Sequence, residues 1–316
     1  MPVIVPLADA IEETRKSARK RPLPDPGLHL FMLAACLLLL ILAAIGAWRF
    51  PDPLWKTLAG VGAAMIPISL LPAILLHDCS KFERRDAALT IPWSLVLALL
   101  IPSIAVLSGR LHFALRDALF IKADRLFGVS VPEVVAWCAS HPRIGAIFDR
   151  SYSLIFWIMP AAIVIPALAG KKEAAERFLV ANVIAFFVAL PMFTVWPAVG
   201  PWYGFGFAGN ALQKACEASI VALHGSGVEE AVGVVCFPSF HVIWATLSAA
   251  ALWSVKRLRL VSVIVAGLIV ISTVTTGWHY LSDVAGGLAV TAFALASAKW
   301  TLRRNFGLSH DGPARD

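Results

Sequence analysis

Apolar residues run in eight long blocks, at residues 29–48, 56–76, 90–107, 152–169, 178–197, 238–255, 258–275 and 282–300. About 20 residues of helix are needed to cross the hydrocarbon core of a bilayer, and each block comes close to that length. Lipid offers the backbone no water, so a crossing segment must satisfy its own N–H and C=O groups, which a helix does. The pattern predicts an all-α integral membrane protein with about eight transmembrane helices. Composition agrees: 59% of residues are hydrophobic and 15% charged, and mean hydropathy is +0.78, well above ordinary soluble domains.

The polar connections set the orientation. Those at Ser80 (with Lys81, Arg84 and Arg85), Gly170 (with Lys171, Lys172 and Arg177) and Val255 (with Lys256, Arg257 and Arg259) fall on one side, together with both tails. That side holds 18 of the 27 Lys and Arg residues, which by the positive-inside rule makes it cytoplasmic. The expected organisation is a basic cytoplasmic tail at 1–28, two additional spans and a cytoplasmic loop at 29–89, six spans at 90–300 with outer loops at 108–151 and 198–237, and a cytoplasmic tail at 301–316. A cell inner membrane is the expected location. The first block is long and follows a polar tail, so it reads as an uncleaved anchor rather than a signal peptide. The net charge of +7 sits in short clusters without an aromatic-interleaved basic domain, which argues against nucleic acid as a partner and for membrane lipids.

The outer loop at 108–151 alternates apolar and charged positions at near-helical spacing, the pattern of amphipathic helices at a membrane surface, used as a lid or as a packed connector. The second outer loop begins "WPAVGPWYGFGFAGN", whose Pro, Gly and aromatic residues suit an ordered interfacial turn. Cys36, Cys79, Cys138, Cys216 and Cys236 show no CxxC or Cys/His metal spacing. The last three lie on the outer side, where a disulfide is permitted.

Two polar motifs interrupt the apolar pattern. In "FPSFHVIWATL", at residues 237–247, Pro238 and Ser239 suit the first turn of a helix and its cap, which leaves backbone N–H groups open to an anion beside His241. In "GWHYLSDV", at 277–284, His279 and Asp283 are four apart and share a helical face, so the carboxylate can take an imidazole N–H and fix its tautomer. A carboxylate at the start of a span is costly without a partner, which marks the pair as functional. The span count puts His241, His279 and Asp283 at one membrane face. One neutral imidazole oriented by a carboxylate can attack phosphorus, while a second, protonated one gives a proton to the departing oxygen. Taken singly, each histidine equally suits tying a helix end to a loop.

These residues resemble the type 2 phosphatidic acid phosphatase and vanadium haloperoxidase superfamily. Pro238-Ser239-Phe240-His241 is similar to its Pro-Ser-Gly-His motif, and His279 through Asp283 to its final His-x-x-x-Asp motif. The resemblance implies a metal-independent phosphatase or phosphotransferase with no cofactor, in which His279 is the nucleophile that becomes a phosphohistidine, Asp283 orients it, and His241 is the general acid. It also implies that spans three to eight are a six-helix catalytic core. Three features depart from the pattern: no Lys is followed seven residues later by Arg-Pro, Thr273 stands in place of the Arg six residues before the last His although Ser272 matches, and Phe240 replaces Gly. "HYLSDV", "FPSFH", "GPWY" and "PLPD" at 22–25 are closer to the inositol phosphorylceramide synthase branch and its sphingomyelin synthase relatives.

With those cations missing, the phosphate clamp is expected from the outer loops: Arg150 first, then Arg143 and Lys214, alongside Ser239. Tyr152, Trp202 and Tyr203 are expected to be interfacial anchors. The sequence thus reads as a membrane enzyme acting on a lipid phosphate ester at the outer face, with the lipid, the acceptor and the oligomeric state left open. Two rivals stand beside it. One is a metal site built from His241, His279 and Asp283. The other is a transporter with a proton-relay His and Asp, which leaves "FPSFH" unexplained and would suit inverted half-repeats that the chain lacks.

Overall fold

The computed structural model describes residues 26–49, 113–224 and 236–305, with the single positions 93, 97, 101, 108 and 111. Regular structure among them is helical, with no strand. The elements are α1 (Pro26–Arg49), α2 (Asp117–Asp124), α3 (Val131–Ser140), α4 (Pro142–Ser153), α5 (Ile155–Leu168), α6 (Lys172–Val195), α7 (Pro201–Phe205), α8 (Ala211–His224), α9 (Phe240–Leu252), α10 (Arg259–Thr275) and α11 (Leu281–Asn305). Short 3-10 turns at Arg125–Phe127 and Lys256–Leu258 extend α2 and precede α10.

Among the described residues, three helices, Lys172–Val195, Lys256–Thr275 and Leu281–Arg303, are long and apolar enough to cross a bilayer. The pair α4 and α5, bent by 40°, makes a fourth if it is one span. These helices make the chain a membrane protein. The first expected block falls on α1. The second, most of the third, and most of both tails lie outside the described residues. The sixth expected block, 238–255, contains a helix of only 13 residues, α9. At about 1.5 Å per residue it is about 20 Å long, less than the roughly 30 Å apolar core of a bilayer.

That short helix is the centre of the bundle. It packs against α5, α6, α10 and α11, and Val242, Ile243, Ala245 and Leu247 are completely buried, as expected of a helix apolar on all sides. The core continues through Leu179, Val180 and Phe186 of α6, Ile269 of α10, and Ala294, Ala298 and Leu302 of α11. Phe156, Trp157, Leu260, Phe293 and Trp300 face outward and exposed, an apolar belt suited to acyl chains. Small residues bring α11 close to the start of α9. A Cβ on Gly287 would lie 2.9 Å from the Ser239 carbonyl oxygen and 2.9 Å from the Val242 Cβ, closer than packed atoms tolerate.

Residues 113–151, within the expected outer loop, form a packed connector. Its helix α2 docks on α7 and α11, and α3 and α4 pack on α10. Cys36, Cys138, Cys216 and Cys236 are all free thiols, so the permitted outer disulfide does not form among the described residues.

Candidate active site

Two helix starts meet at the site. At the first, the cis Phe237–Pro238 peptide leads into Ser239, whose Oγ accepts from the Val242 N–H at 3.4 Å and whose carbonyl oxygen accepts from the Ile243 N–H at 3.1 Å. The N–H groups of Phe240 and His241, at the start of α9, have no acceptor among the described residues. At the second, Gly277 turns the chain out of α10 with a left-handed φ of 75°, a conformation that glycine adopts without strain. The His279 N–H then donates to the Thr273 carbonyl at 2.9 Å, which holds His279 just ahead of α11.

His279 therefore precedes the helix that carries Asp283, and the two do not share a helical face as expected. Their meeting depends on capping instead. Asp283 is the third residue of α11, and its Oδ2 reaches back to the Tyr280 N–H at 2.9 Å, as an acidic residue at that position of a capping box does. The same oxygen meets His279 Nδ1 at 3.2 Å. His279 is 4% exposed and Asp283 completely buried. A third donor, the Cys236 thiol, reaches Oδ2 at 3.0 Å. Burial first, and the Asp283 carboxylate second, push that thiol well above its usual pKa, so it stays S–H and donates. Asp283 Oδ1 is buried without a partner among the described residues. With Nδ1–H donated to Oδ2, the Nε2 of a neutral His279 carries a lone pair.

His241 lies opposite, its ring centroid 5.9 Å from that of His279. Tyr152 at the end of α4 stacks on it, with centroids 4.1 Å apart, and the Tyr152 hydroxyl is 3.3 Å from His241 Nδ1. A hydroxyl donating to Nδ1 leaves the proton of a neutral ring on Nε2. That Nε2 is buried with no protein partner among the described residues, a donor that waits for a ligand. The His279 lone pair and the His241 Nε2–H belong to rings whose centroids are 5.9 Å apart, a separation that one anion could bridge.

Two aspartates that the sequence reading passed over fix this geometry. Asp124 at the end of α2 accepts from the N–H groups of Leu281 at 2.9 Å and Ser282 at 2.8 Å, and from the Ser282 hydroxyl at 2.7 Å. It caps α11 from another part of the chain. Asp117 accepts from the Gly200 N–H at 2.9 Å, from the Val199 N–H at 3.1 Å and from the Tyr280 hydroxyl at 2.9 Å. Burial first and Asp117 second raise the pKa of the Tyr280 phenol, so it remains a donor. The signal that could have found both is their spacing: two carboxylates seven apart occupy one face of a helix, and both are buried.

The structure brings Ser239, His241, His279 and Asp283 together. Arg150 and Arg143 are exposed on α4, and neither touches those residues among the described ones. Lys214 is exposed and paired with Glu217 at 2.8 Å, which also accepts from Trp202 Nε1 at 3.1 Å. Thr273 is buried with its hydroxyl folded onto the Val270 carbonyl at 2.7 Å. The Phe240 ring turns away into Phe186, Phe193 and Trp244, so the side chain that replaces glycine fills core. Of the three expected anchors only Tyr203 is exposed; Trp202 is buried and Tyr152 covers His241.

A family model described as the PAP2 superfamily matches residues 118–297, from α2 through most of α11, with both histidines and Asp283 inside the match. No curated protein and no solved structure matches the chain.

Proposed function

Because the chain belongs to the PAP2 superfamily, we propose that this phosphoesterase-type membrane enzyme acts on a lipid phosphate ester through a phosphohistidine on His279. The observation that carries the reading is the buried His279–Asp283 pair at 3.2 Å facing a second histidine whose Nε2 has no partner among the described residues. His279 Nε2 attacks phosphorus, the N–P bond forms, and the P–O bond to the leaving alcohol breaks. His241, entering the step as imidazolium, gives its Nε2 proton to that oxygen. Asp283 stabilises the positive charge on the phosphorylated ring. In the second half, water or an alcohol attacks the phosphohistidine, His241 takes its proton, and the N–P bond breaks. The N–H groups of Phe240 and His241 serve the phosphoryl oxygens in place of the absent clamp cations, with Arg150 and Lys214 as outer contributions to the substrate's charge.

In this reading the chain has eight spans with both termini cytoplasmic, and the histidines face the outer compartment of the inner membrane. A second reading, transfer to a lipid alcohol as in the inositol phosphorylceramide synthase branch, is favoured by Tyr152 stacked on His241 and Trp278 stacked in turn on Tyr152, an aromatic cover of the kind that limits access of water.

The test is purified protein with a panel of labelled lipid phosphates in EDTA, with and without alcohol acceptors. Turnover that persists in EDTA and disappears in His279→Ala supports the mechanism, and full activity in both His279→Ala and Asp283→Ala would sink it. Product that requires the acceptor selects transfer over hydrolysis.

A further inference from the structure

Behind the nucleophile, Cys236, His279 and Asp283 place a thiol sulfur, an imidazole nitrogen and a carboxylate oxygen all within 4.8 Å of one another. The separations are 3.0 Å from Sγ to Oδ2, 3.2 Å from Nδ1 to Oδ2 and 4.0 Å from Sγ to Nδ1. A tetrahedral zinc ion bonded at about 2.0–2.3 Å holds such atoms about 3.3–3.6 Å apart, so each observed edge is within about 0.6 Å of the requirement. Sulfur, imidazole and carboxylate together are the ligand types that zinc prefers. A second observation is independent of this triangle: Asp283 is completely buried, yet its Oδ1 has no partner among the described residues. Such an oxygen is costly to leave bare, and a cation that the carboxylate takes bidentately, through Oδ1 as well as Oδ2, would satisfy it.

We propose that Cys236, His279 and Asp283 form a binding site for a thiophilic divalent cation of the zinc class, and that occupancy switches the enzyme off. The rival metal arrangement read from the sequence used His241; the structure puts Cys236 in that place. On binding, the Cys236 proton leaves for solvent and the sulfur coordinates as thiolate. His279 coordinates through Nδ1, so its single remaining proton sits on Nε2. The lone pair that attacks phosphorus is then gone. Without the cation, Nδ1–H is donated to Asp283 and Nε2 is free. Site and nucleophile therefore compete for the same imidazole. The inhibitory consequence rests on the phosphohistidine reading, whereas the binding site does not.

The experiment uses the full chain in detergent, with cobalt(II) as a spectroscopic stand-in for zinc and turnover of a lipid phosphate as the second readout. The expected result is a thiolate-to-cobalt charge-transfer band that is removed by excess zinc and lost in Cys236→Ala. Cys236→Ser, which keeps the size and the donor, serves the same purpose should the alanine variant fail to fold. Zinc lowers wild-type turnover at least about tenfold relative to EDTA, and the zinc concentration for half-inhibition, measured against each variant's own rate in EDTA, rises about 10–100-fold when the sulfur is removed. Absence of the band, or a band unchanged in the Cys236 variants, overturns the site. A band without loss of turnover overturns the switch. Failure of every lipid phosphate to turn over in EDTA overturns the proposed function instead, and the cobalt spectrum still decides the site.

Discussion

Replacing Asp124 by alanine removes the side chain that holds the start of α11, and the structure sets the size of the effect. Three donors converge on its carboxylate, at 2.9 Å from Leu281 N–H, 2.8 Å from Ser282 N–H and 2.7 Å from Ser282 Oγ–H. A hydrogen bond to a charged group contributes about 1.5–3 kcal/mol, but the three share one carboxylate and are lost together, so they do not add in full. Loss of a helix cap alone costs about 0.5–2 kcal/mol. Removing Asp124, itself 2% exposed, also relieves the cost of burying its charge. The net destabilisation is about 2–4 kcal/mol, which for a chain of this size lowers Tm by roughly 3–8 °C. Asp124→Asn keeps one acceptor oxygen but turns an NH2 toward a second donor, so it recovers less than half of the loss. Because α11 begins two residues after His279, the frayed start also loosens the His279–Asp283 pair, and kcat falls about tenfold with KM nearly unchanged. Thermal unfolding in detergent, followed by tryptophan fluorescence, gives the first quantity, and initial rates on a lipid phosphate give the second. A Tm within about 1 °C of wild type would refute the claim that Asp124 anchors this helix.

Asp283→Asn keeps the shape of the side chain but removes the charge that fixes the Nδ1–H tautomer of His279, and turnover should fall about 10³–10⁴-fold while the protein remains folded by circular dichroism. Tyr152→Phe retains the ring stacked on His241 and loses only the hydroxyl at 3.3 Å, a roughly 2–10-fold loss in kcat with an altered pH–rate profile; Tyr152→Ala loses the stack as well and should cost more. Gly287→Val forces atoms against the Ser239 carbonyl and should lower stability by about 1–3 kcal/mol. By contrast, Gly267→Ala, where a Cβ meets nothing within 4 Å, should raise stability by up to about 1 kcal/mol through helix propensity. Equal Tm shifts in these two glycine variants would refute the close approach of α11 to α9.

Much of this protein is determined by the sequence alone because its controlling terms are local. Transfer of an apolar block into lipid depends on that block's own composition, so Lys172–Val195, Lys256–Thr275 and Leu281–Arg303 were legible as helices, close to the expected boundaries. That His241, His279 and Asp283, the trio proposed as catalytic, lie near one another was legible for a related reason. Pro238 and Ser239 start a helix wherever they precede an apolar run, and a carboxylate three residues into a helix bonds back to its cap, so the motifs carry part of their own geometry. The tertiary structure decided what depends on distant segments. Asp124 and Leu281 are 157 residues apart, Tyr152 and His241 are 89 apart, and Cys236 and Asp283 are 47 apart; no periodicity links members of such pairs. The length of α9 was also decided there, since a helix surrounded by α5, α6, α10 and α11 is covered by protein and need not match the thickness of a bilayer. Arg150 and Lys214 were expected at the phosphate from their charge and their place in the expected outer loops. Charge states what a side chain can hold, whereas the packing of α4 and α8 settles where that side chain lies.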